Sequence, residues 1–408
     1  MSMQKRIRPQ TIEVPQVRRI REEMEQELRA ILTWWSQHMV DTTRGGFIGA
    51  MDGHGNLKLQ ADKGVILNTR LLWTFASAGL HTNDALHKQM AHRAYEYLHT
   101  HFWDELEGGV FWMVDCEGNP LDTQKQIYGQ AFAIYAFVAY YELTRDRMAL
   151  EKAVELFWLI ERYSRDTVRN GYRSAFGKDW CEKQDIRLSE KDANESKIMN
   201  THLHLLEAYT YLFRLHPFAA LQDALHNLIE LFQQHFCLPI GSLQVYFDDD
   251  WNPKGNTISF GHNIESSWLL YEAGEALGVE ELRCSLHKLA LQLVEAVYEE
   301  AIDTDGGIFY EAKPGVGLTD TDKHWWPQAE AVVGFWNAYQ LSGDLKYAQA
   351  ALNCWDFIKT SIKDLHQGEW HWRTTKAGQA VLSENKAGPW KAPYHNSRLC
   401  LEMIRRMN

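Results

Sequence analysis

Apolar residues recur at a helical period along most of the chain, in segments of two alternating kinds. Segments of the first kind are apolar nearly all round, which is typical of helices buried on every side. They cover residues 63–80, 125–144, 196–215, 261–277, 324–343 and 392–407. Segments of the second kind carry charges on one face, as outer helices do. They cover residues 87–103, 148–164, 219–236, 281–301 and 346–362, and residues 18–39 supply the sixth.

Helices in six pairs indicate an all-α fold, an (α/α)6 barrel in which six inner helices form a closed ring inside six outer ones. A superhelical solenoid is the alternative, but it needs polar caps at both ends. Because the partner of the last inner helix comes from the start of the chain, the pattern favours closure. We expect one catalytic domain over residues 16–408, preceded by a flexible tail over residues 1–15.

Short stretches rich in glycine and aromatic residues separate the pairs, and they begin at residues 44, 107, 170, 241, 305 and 368. Their period-two alternation, closed by Gly, Asn-Pro or Asp-Gly, predicts short β-hairpins or loops at one end of the barrel. They contain no P-loop motif and no GxGxxG motif in its usual setting, so we expect no phosphate-binding loop.

Charge and composition narrow the range of partners. The net charge of −12, with no basic run, disfavours nucleic acid. The sequence has no apolar stretch near 18 residues and its N-terminus lacks the apolar middle of a signal peptide, so we expect no membrane span and no secretion. The six cysteines are scattered without a CxxC pair, which favours reduced thiols in the cytoplasm. We expect a monomer that binds a small molecule.

Aromatic residues and histidines are abundant, with 16 Trp, 17 Tyr, 17 Phe and 18 His. Most of the aromatic residues should fill a helical core, but aromatic faces with polar tips also build sugar-binding clefts. Polar and aromatic residues collect where each inner helix begins, so they should ring one mouth of the barrel. They are Asn68, Arg70, Tyr128, Gln130, Asn200, His202, His204, His262, Glu265, Trp268, Trp325, Trp326, Gln328, Glu330, Trp390, Tyr394, His395, Asn396 and Arg398.

His202 and His204 lie about 160° apart on a helix that turns about 100° per residue, so only one of them can point straight into the cavity. Asn200, four residues before His204, favours His204. The repeat register, which places His202 level with Arg70 and Glu265, favours His202. The residues alone leave the choice even.

A metal site is not expected. Three histidines and a glutamate could bind zinc, but the HExxH motif is absent and the histidines belong to three different helices. The run Asp248-Asp249-Asp250 lacks the EF-hand spacing and predicts a solvated turn.

His262 and His395 are far apart in the sequence and could face each other across the cavity. An imidazole with a pKa near 6.5 can act as a base or an acid near neutral pH. One such group on each side of a carbon would remove a proton from one face and return it to the other. Arg70 could stabilise the oxygen of the resulting enediolate. A glycosidase on the same architecture would rely on a carboxylate pair instead.

The chain resembles the cellobiose 2-epimerases, within the N-acylglucosamine 2-epimerase superfamily, from about residue 20 to its C-terminus. Six separated segments in the same order carry the resemblance: KGVILNTRLLW, KQIYGQAFAIYAFVAYYE, LSEKDANESKIMNTHLHLLEAYT, FGHNIESSWLL, WWPQAEAVVGFWNAYQ and WKAPYHNSRLCLE. The resemblance implies an (α/α)6 barrel that needs no metal or nucleotide. It also implies inversion at C2 of the reducing-end sugar of β-1,4-linked disaccharides, such as cellobiose, lactose or mannobiose, by ring opening and a cis-enediolate.

Residue by residue, the resemblance implies acid/base roles for His262 and His395, and it makes His204 the third essential histidine. The substrate site that it implies consists of Arg70, Tyr128, Asn200, Glu265, Trp268, Trp326, Glu330 and Trp390, with Trp326 and Trp390 stacking on sugar rings. Asn263 replaces an acid that is common in the family, which could change the pKa of His262 and the pH optimum.

Other functions stay open at this point. An N-acylglucosamine 2-epimerase, or an aldose–ketose isomerase that protonates C1 of the same enediolate, is the nearest alternative. An inverting glycosidase would hydrolyse the disaccharide, and a non-enzymatic binding module would not depend on His395. The preferred disaccharide and the extent of ketose by-product are not decided by the sequence.

Overall fold

The computed structural model describes residues 13–189 and 192–407, which contain twelve α-helices. They are α1 (Val14–His38), α2 (Val65–Thr82), α3 (Ala85–Tyr97), α4 (Ile127–Thr144), α5 (Arg147–Tyr163), α6 (Met199–Leu215), α7 (Ala219–Leu231), α8 (Phe260–Leu277), α9 (Glu280–Glu300), α10 (Trp325–Ser342), α11 (Leu345–Phe357) and α12 (Tyr394–Arg406). π-Helical turns extend α3, α7 and α11 over Leu98–Phe102, Phe232–Phe236 and Ile358–Ile362. Residues 1–12 of the predicted tail lie outside the described residues, and α1 begins two residues before the predicted domain boundary.

Burial separates the helices into the two predicted kinds. In α4, residues 127–134 and 136–140 are all buried, so this helix is enclosed on every side. In α5 a single apolar stripe at helical spacing is buried, formed by Ala149, Ala153, Leu156, Phe157 and Ile160. The even-numbered helices therefore form the inner layer and the odd-numbered ones the outer layer.

The inner helices close into a ring. Helices α2, α4, α6, α8, α10 and α12 contact one another in chain order, and α12 contacts α2. The outer helix α1 packs against α12, so the start of the chain completes the last pair as predicted. The (α/α)6 barrel is confirmed, and the solenoid alternative is wrong.

Fifteen antiparallel strands of two to four residues lie in the connections. They are β1 (Lys63–Gly64), β2 (Met113–Val114), β3 (Pro120–Asp122), β4 (Lys125–Gln126), β5 (Ala175–Phe176), β6 (Lys197–Ile198), β7 (Cys237–Leu238), β8 (Ser242–Leu243), β9 (Tyr246–Phe247), β10 (Pro253–Lys254), β11 (Ile258–Ser259), β12 (Glu311–Lys313), β13 (Gly317–Asp320), β14 (Lys323–His324) and β15 (Arg373–Thr374). The sheets are β1-β2-β3, β4-β5, β6-β9-β10, β7-β8, β11-β12-β13 and β14-β15. The predicted hairpins are confirmed.

These strands hold the N-termini of the inner helices at one mouth. Strands β1, β4, β6, β11 and β14 each run directly into an inner helix and pair with the next connection along the chain. The first N–H of each helix then donates to a carbonyl of that connection, as Val65 does to Trp112 at 3.0 Å. The same bond starts α4, α6, α8 and α10, and none of these helices has a side-chain cap. Neighbouring repeats thus supply the acceptors that helix starts require.

Buried lysine–aspartate pairs stabilise five of the six connections. The lysine stands two residues before the inner helix in four pairs and eight residues before α12 in the fifth, and the aspartate follows the preceding outer helix. The pairs are Lys63–Asp41, Lys125–Asp104, Lys197–Asp166, Lys323–Asp303 and Lys386–Asp364. In the connection that leads to α8, Ile258 and Leu238 occupy the corresponding positions. The start of α8 is therefore held by strand pairing without a buried ion pair.

The described residues include no helix that combines the length and apolarity needed to cross a lipid bilayer.

We predict that Lys125→Met lowers the free energy of unfolding by about 3–5 kcal/mol, because it leaves the charge of Asp104 buried without its partner. The two side chains are 0% and 2% exposed, respectively. Urea unfolding followed by far-UV circular dichroism measures the loss. The control is Arg283→Met, whose partner Glu275 lies in an exposed pair of the kind that contributes about 0–1 kcal/mol. Equal losses in both variants would show that the buried pair has no special role.

Candidate active site

Three histidines from three inner helices meet at the mouth formed by the helix N-termini. His204 of α6 and His395 of α12 are buried, and His262 of α8 is partly exposed. The ring of Trp326 lies against two of them, with centroids 4.8 Å from His262 and 5.6 Å from His395. The imidazoles of His262 and His395, which are 133 positions apart in the chain (395 − 262), therefore both lie against the same indole ring.

His395 has a defined tautomer. Its Nδ1 lies 2.7 Å from Oε1 of Glu330. A carboxylate only accepts hydrogen bonds, so Nδ1 carries the proton and Nε2 keeps its lone pair in the neutral ring. Burial, and then the charges of Arg70 and Arg398, lower the pKa of His395 well below its ordinary value. This imidazole is therefore a neutral base near neutral pH.

His262 is also held neutral. Its Nδ1 lies 2.8 Å from the hydroxyl of Ser259, the last residue before α8. Burial, and then the neighbouring imidazole of His204, lower the pKa of His262 to about 3. The neighbouring Asn263, which stands in place of the family's acid, accepts a hydrogen bond from the N–H of Leu243 at 3.1 Å instead. The side chain of Asn263 therefore binds the backbone of a connection. It forms no hydrogen bond with His262 through which it could change the pKa of that ring.

The structure separates the roles of His202 and His204. Nε2 of His202 accepts a hydrogen bond from the N–H of Tyr172 at 2.9 Å, and Nδ1 donates to the carbonyl of Ile198 at 2.8 Å. Both ring nitrogens are therefore engaged with the backbone, and burial lowers the pKa of His202 to about 4. His204 instead directs Nδ1 to Oε2 of Glu207 at 2.8 Å.

The repeat register also differs from the one predicted. His202 is the fourth residue of its helix, at the position that Gln130, Asn263 and Gln328 take in theirs. His204 is the sixth residue, and the sixth residues of α2, α8 and α10 are Arg70, Glu265 and Glu330. The prediction that His202 is level with Arg70 and Glu265 is wrong, because α6 begins at Met199, directly after the strand β6.

Arg398 joins three carboxylates from three other inner helices. Its guanidinium donates to Glu207 and Glu265, and to Oε1 of Glu330 at 2.6 Å. The hydroxyl of Tyr394 donates to the same oxygen of Glu207. Sequence reasoning placed Arg398 at the mouth without a role and missed Glu207 entirely. The signal for Glu207 was its spacing of three residues from His204, which brings two side chains together on a helix.

The three carboxylates differ in charge. Although burial opposes its ionisation, Arg398 outweighs that effect and lowers the pKa of Glu207 to about 2. Burial, and then repulsion by Glu330, raise the pKa of Glu265 to about 7. Burial also raises the pKa of Glu330. Glu207 is therefore a fixed anion, whereas Glu265 can donate or accept a hydrogen bond near neutral pH.

Arg70 places a cation at the same mouth. Its guanidinium donates to the hydroxyl of Tyr128 at 2.9 Å and to the carbonyl of Trp390 at 3.1 Å. It also lies 4.5 Å over the ring of Phe132. These neighbours are neutral, so the positive charge of Arg70 remains available to an anion that forms in the pocket.

Three further predicted residues are Trp268 and Asn200, which have buried polar atoms, and Trp390, which lies at the edge of the site. Trp268 is buried and donates from Nε1 to Oε2 of Glu330 at 3.1 Å, so it braces that carboxylate. Oδ1 of Asn200 is buried and has no hydrogen-bond partner among the described residues. The ring of Trp390 lies 5.6 Å from that of Trp112 at the edge of the site. A cleft of about 220 Å³ adjoins it, lined also by Leu188.

Glu265, Glu330 and His395 could in principle hold a metal ion, since their donor atoms lie within 4.8 Å of one another. Arg398 donates to both carboxylates, however, so its guanidinium already fills the position of a cation between them. A divalent ion there would meet that charge, which does not fit a metal centre.

Known proteins resemble this chain in both sequence and fold. The model of the family N-acylglucosamine 2-epimerase (GlcNAc 2-epimerase) matches residues 46–398. A cellobiose 2-epimerase of Bacteroides fragilis is 44% identical over 94% of this chain and 98% of its own length. One of Ruminococcus albus is 38% identical over 94% of this chain and 98% of its own length. The solved structure of a cellobiose 2-epimerase from Bacillus thermoamylovorans has a TM-score of 0.91 at 36% identity, covering 95% of this chain and 100% of that one.

We predict that His202→Gln has a free energy of unfolding within about 1 kcal/mol of the parent at pH 7. The reason is that Gln130 and Gln328 stand at the same helix position as His202. The side-chain amide of each one accepts a hydrogen bond from a backbone N–H and donates one to a backbone carbonyl. Urea unfolding at pH 7 measures the difference. His202→Ala, which removes the bridge, should lose clearly more stability.

The same variant should resist acid better than the parent. The folded-state pKa of His202, about 4, lies below its ordinary value, so the unfolded chain takes up a proton that the folded chain refuses. This costs the parent about 1.4 kcal/mol of stability per pH unit as the pH falls from about 6.5 towards 4. Glutamine does not titrate, so urea unfolding at pH 5 should show a smaller acid loss in His202→Gln. An equal loss in both proteins would contradict the burial of a neutral ring.

Proposed function

This chain belongs to the N-acylglucosamine 2-epimerase family, and from that premise we propose that it inverts C2 of the reducing-end sugar of β-1,4-linked disaccharides such as cellobiose, lactose or mannobiose. The observation that carries the proposal is the pair of neutral imidazoles, His262 and His395, whose rings both lie against the ring of Trp326. The chain is a carbohydrate epimerase by family, and the similarity to cellobiose 2-epimerases along nearly its whole length supports a disaccharide substrate.

The proposed reaction exchanges one proton at C2. After the sugar ring opens, one imidazole accepts the C2 proton, and the electrons of the C–H bond form the C1=C2 bond of a cis-enediolate. The negative charge passes to the C1 oxygen, which the guanidinium of Arg70 stabilises. The other imidazole takes up a proton from solvent beside the enediolate and delivers it to C2 on the opposite face, which restores the aldehyde. The first imidazole releases the proton it accepted to solvent. An adjacent anion favours the protonated form of an imidazole, so the enediolate itself raises the proton affinity of both rings.

Each base in this proposal is oriented by a fixed neighbour. Glu330 holds the Nδ1–H of His395, so that Nε2 is the atom that accepts or returns the proton. The hydroxyl of Ser259, 2.8 Å from Nδ1 of His262, orients that ring. His204, oriented by Glu207, is assigned to proton transfer at the sugar oxygens during ring opening. Asn200, Tyr128, Glu265 and Trp326 are assigned to binding the reducing-end sugar.

The second sugar has a place beside Trp390. The cleft of about 220 Å³ next to this ring is bordered by Trp112, Leu188 and Ser189. An aromatic surface with polar groups at its edge suits the C–H face of a pyranose. A monosaccharide epimerase or isomerase would have no use for this extension, which supports a disaccharide.

Hydrolysis is the poorer fit. An inverting glycosidase keeps its two carboxyl groups about 6.5–9.5 Å apart so that a water molecule fits between them. Carboxylate oxygens of Glu265 and Glu330 lie within 4.8 Å of each other, and Arg398 joins them. No attacking water fits between two carboxylates bridged in this way.

The cytoplasmic location, the monomeric state and independence from cofactors stay predictions.

We predict that cellobiose treated with the protein in D2O becomes glucosyl-mannose with deuterium at C2, because the proton passes through exchangeable imidazoles. NMR and mass spectrometry of the product measure the label. His395→Asn should lower the rate by about 10²-fold or more, whereas the matched variant His202→Gln should keep it. Glucose as the product would indicate a glycosidase, a ketose an isomerase, and activity only on N-acetylglucosamine would refute the substrate. An unlabelled epimer would contradict the proton route.

A further inference from the structure

A second cavity opens at the end of the barrel opposite to the histidines. Its volume is about 510 Å³, and its wall comes from the C-terminal halves of α2, α4, α6, α8 and α12. This volume falls within the range of about 300–1,000 Å³ that is typical of small-molecule sites. The proposed epimerisation makes no use of this cavity, which we call the rear cavity.

Aromatic rings form one side of the rear cavity. Trp73 and Tyr135 stack with their centroids 5.5 Å apart and their planes at 9°. Tyr211 continues the wall, 5.3 Å from Tyr135. All three line the cavity. Rings that combine an apolar body with an N–H or O–H tip suit the C–H groups and hydroxyls of a carbohydrate.

Charged side chains line the rim of the rear cavity, and they are paired with one another. Arg405 donates to Glu272 at 2.7 Å and to Glu402 at 2.6 Å, and Arg214 also pairs with Glu272. Arg406 also pairs with Glu272 and Glu402, and Glu142 accepts a hydrogen bond from the hydroxyl of Tyr211. Most charges of the rim are therefore engaged within the protein, which favours a neutral ligand over an ion. Paired guanidinium and carboxylate groups can still exchange hydrogen bonds with neutral hydroxyls.

One buried donor of the wall has no acceptor. The side chain of Trp73 is only 6% exposed, and its indole N–H has no hydrogen-bond partner in the part of the chain that the structure describes. A buried donor without an acceptor is costly, and such groups call for an explanation. The nitrogen itself is shielded from the rear cavity, so the ring turns towards the cavity when an oxygen of a bound molecule accepts from this N–H.

Two residues belong both to the rear cavity and to the candidate active site. Glu207 lines the cavity, and its carboxylate also holds His204 and Arg398. Trp268 lines the cavity as well, and its indole N–H holds Glu330, the partner of His395. A molecule in the rear cavity would therefore contact the groups that orient two of the three histidines.

We propose that the rear cavity binds a small neutral carbohydrate or polyol, of monosaccharide to disaccharide size, as an effector of the reaction at the opposite mouth. Binding acts on His204 and His395 through Glu207 and Trp268. The effect on turnover rests on the proposed function, but binding does not, so the number of bound molecules tests the site independently.

The probe is cellobitol, the alditol of cellobiose, which has no aldehyde and cannot react. Isothermal titration calorimetry should count two sites in the parent and one in Ser77→Trp, whose new ring fills the rear cavity without touching the histidines. Trp390→Ala should weaken the other site and leave the rear one intact. A single site in the parent, or two sites that persist in Ser77→Trp, would overturn the proposal.

A second pair of variants decides the matter if Ser77→Trp does not fold. Trp73→Phe keeps an aromatic ring and removes the N–H, so binding at the rear site should weaken by about five-fold or more, as expected for one lost hydrogen bond. The matched control is Trp336→Phe, since the N–H of Trp336 is likewise buried and unpartnered but lies outside the cavity. Equal weakening in both variants, or none in either, would refute the role of Trp73.

Turnover supplies the last readout. A competitor at the active mouth alone raises the apparent KM for cellobiose, whereas a ligand in the rear cavity also changes kcat. Cellobitol should therefore change both constants in the parent and only KM in Ser77→Trp. A pure KM effect in the parent would mean that the rear cavity does not act on the reaction.

Discussion

The hydrogen bonds of Arg398 are the constraint on which the rest of the site depends. Its guanidinium, on α12, joins carboxylates of α6, α8 and α10, so four of the six inner helices meet at one buried cation. Buried charges persist only when they are paired and hydrogen-bonded in this way. Through Glu207 and Glu330 the same cation fixes the rings of His204 and His395. It also leaves little reason for a metal ion at this place.

His262 is supported differently. It depends on Ser259 at the start of α8, and the connection that leads to α8 lacks the buried lysine–aspartate pair of the other five. The site therefore combines two histidines on a rigid ionic frame with a third held by strand pairing and a hydroxyl. Burial keeps both proposed bases neutral, which suits groups that must accept a proton from carbon and give it back.

Much of this architecture could be predicted from the sequence, because periodicity depends only on which residues are apolar. The twelve helices, their pairing and the closing role of the first helix follow from that pattern. The grouping of polar residues at one mouth follows from where they stand in each helix. These features need no knowledge of side-chain contacts.

The features that the sequence analysis predicted wrongly or did not find depend on contacts between side chains or between separate connections. The register of His202 and His204 required the first residue of α6, which is set by a backbone bond to another connection. Glu207 is not named in the sequence analysis, because its role depends on the hydrogen bond that Arg398 donates to it from another helix. The substrate role of Trp268 stays a prediction, and the hydrogen bond from its N–H to Glu330 is a contact that the sequence does not reveal. The rear cavity depends on how helix ends from five repeats pack together, which no single segment reveals.

The placement of His262 and His395 on opposite faces of C2 is tested most directly by following the C2 proton of each epimer in D2O. NMR would measure its exchange from glucosyl-glucose and from glucosyl-mannose, separately, in His262→Asn and in His395→Asn. We predict that each variant exchanges the proton of one epimer only, and that the two variants have opposite preferences. Exchange from both epimers by a variant with only one of these histidines would contradict the assignment.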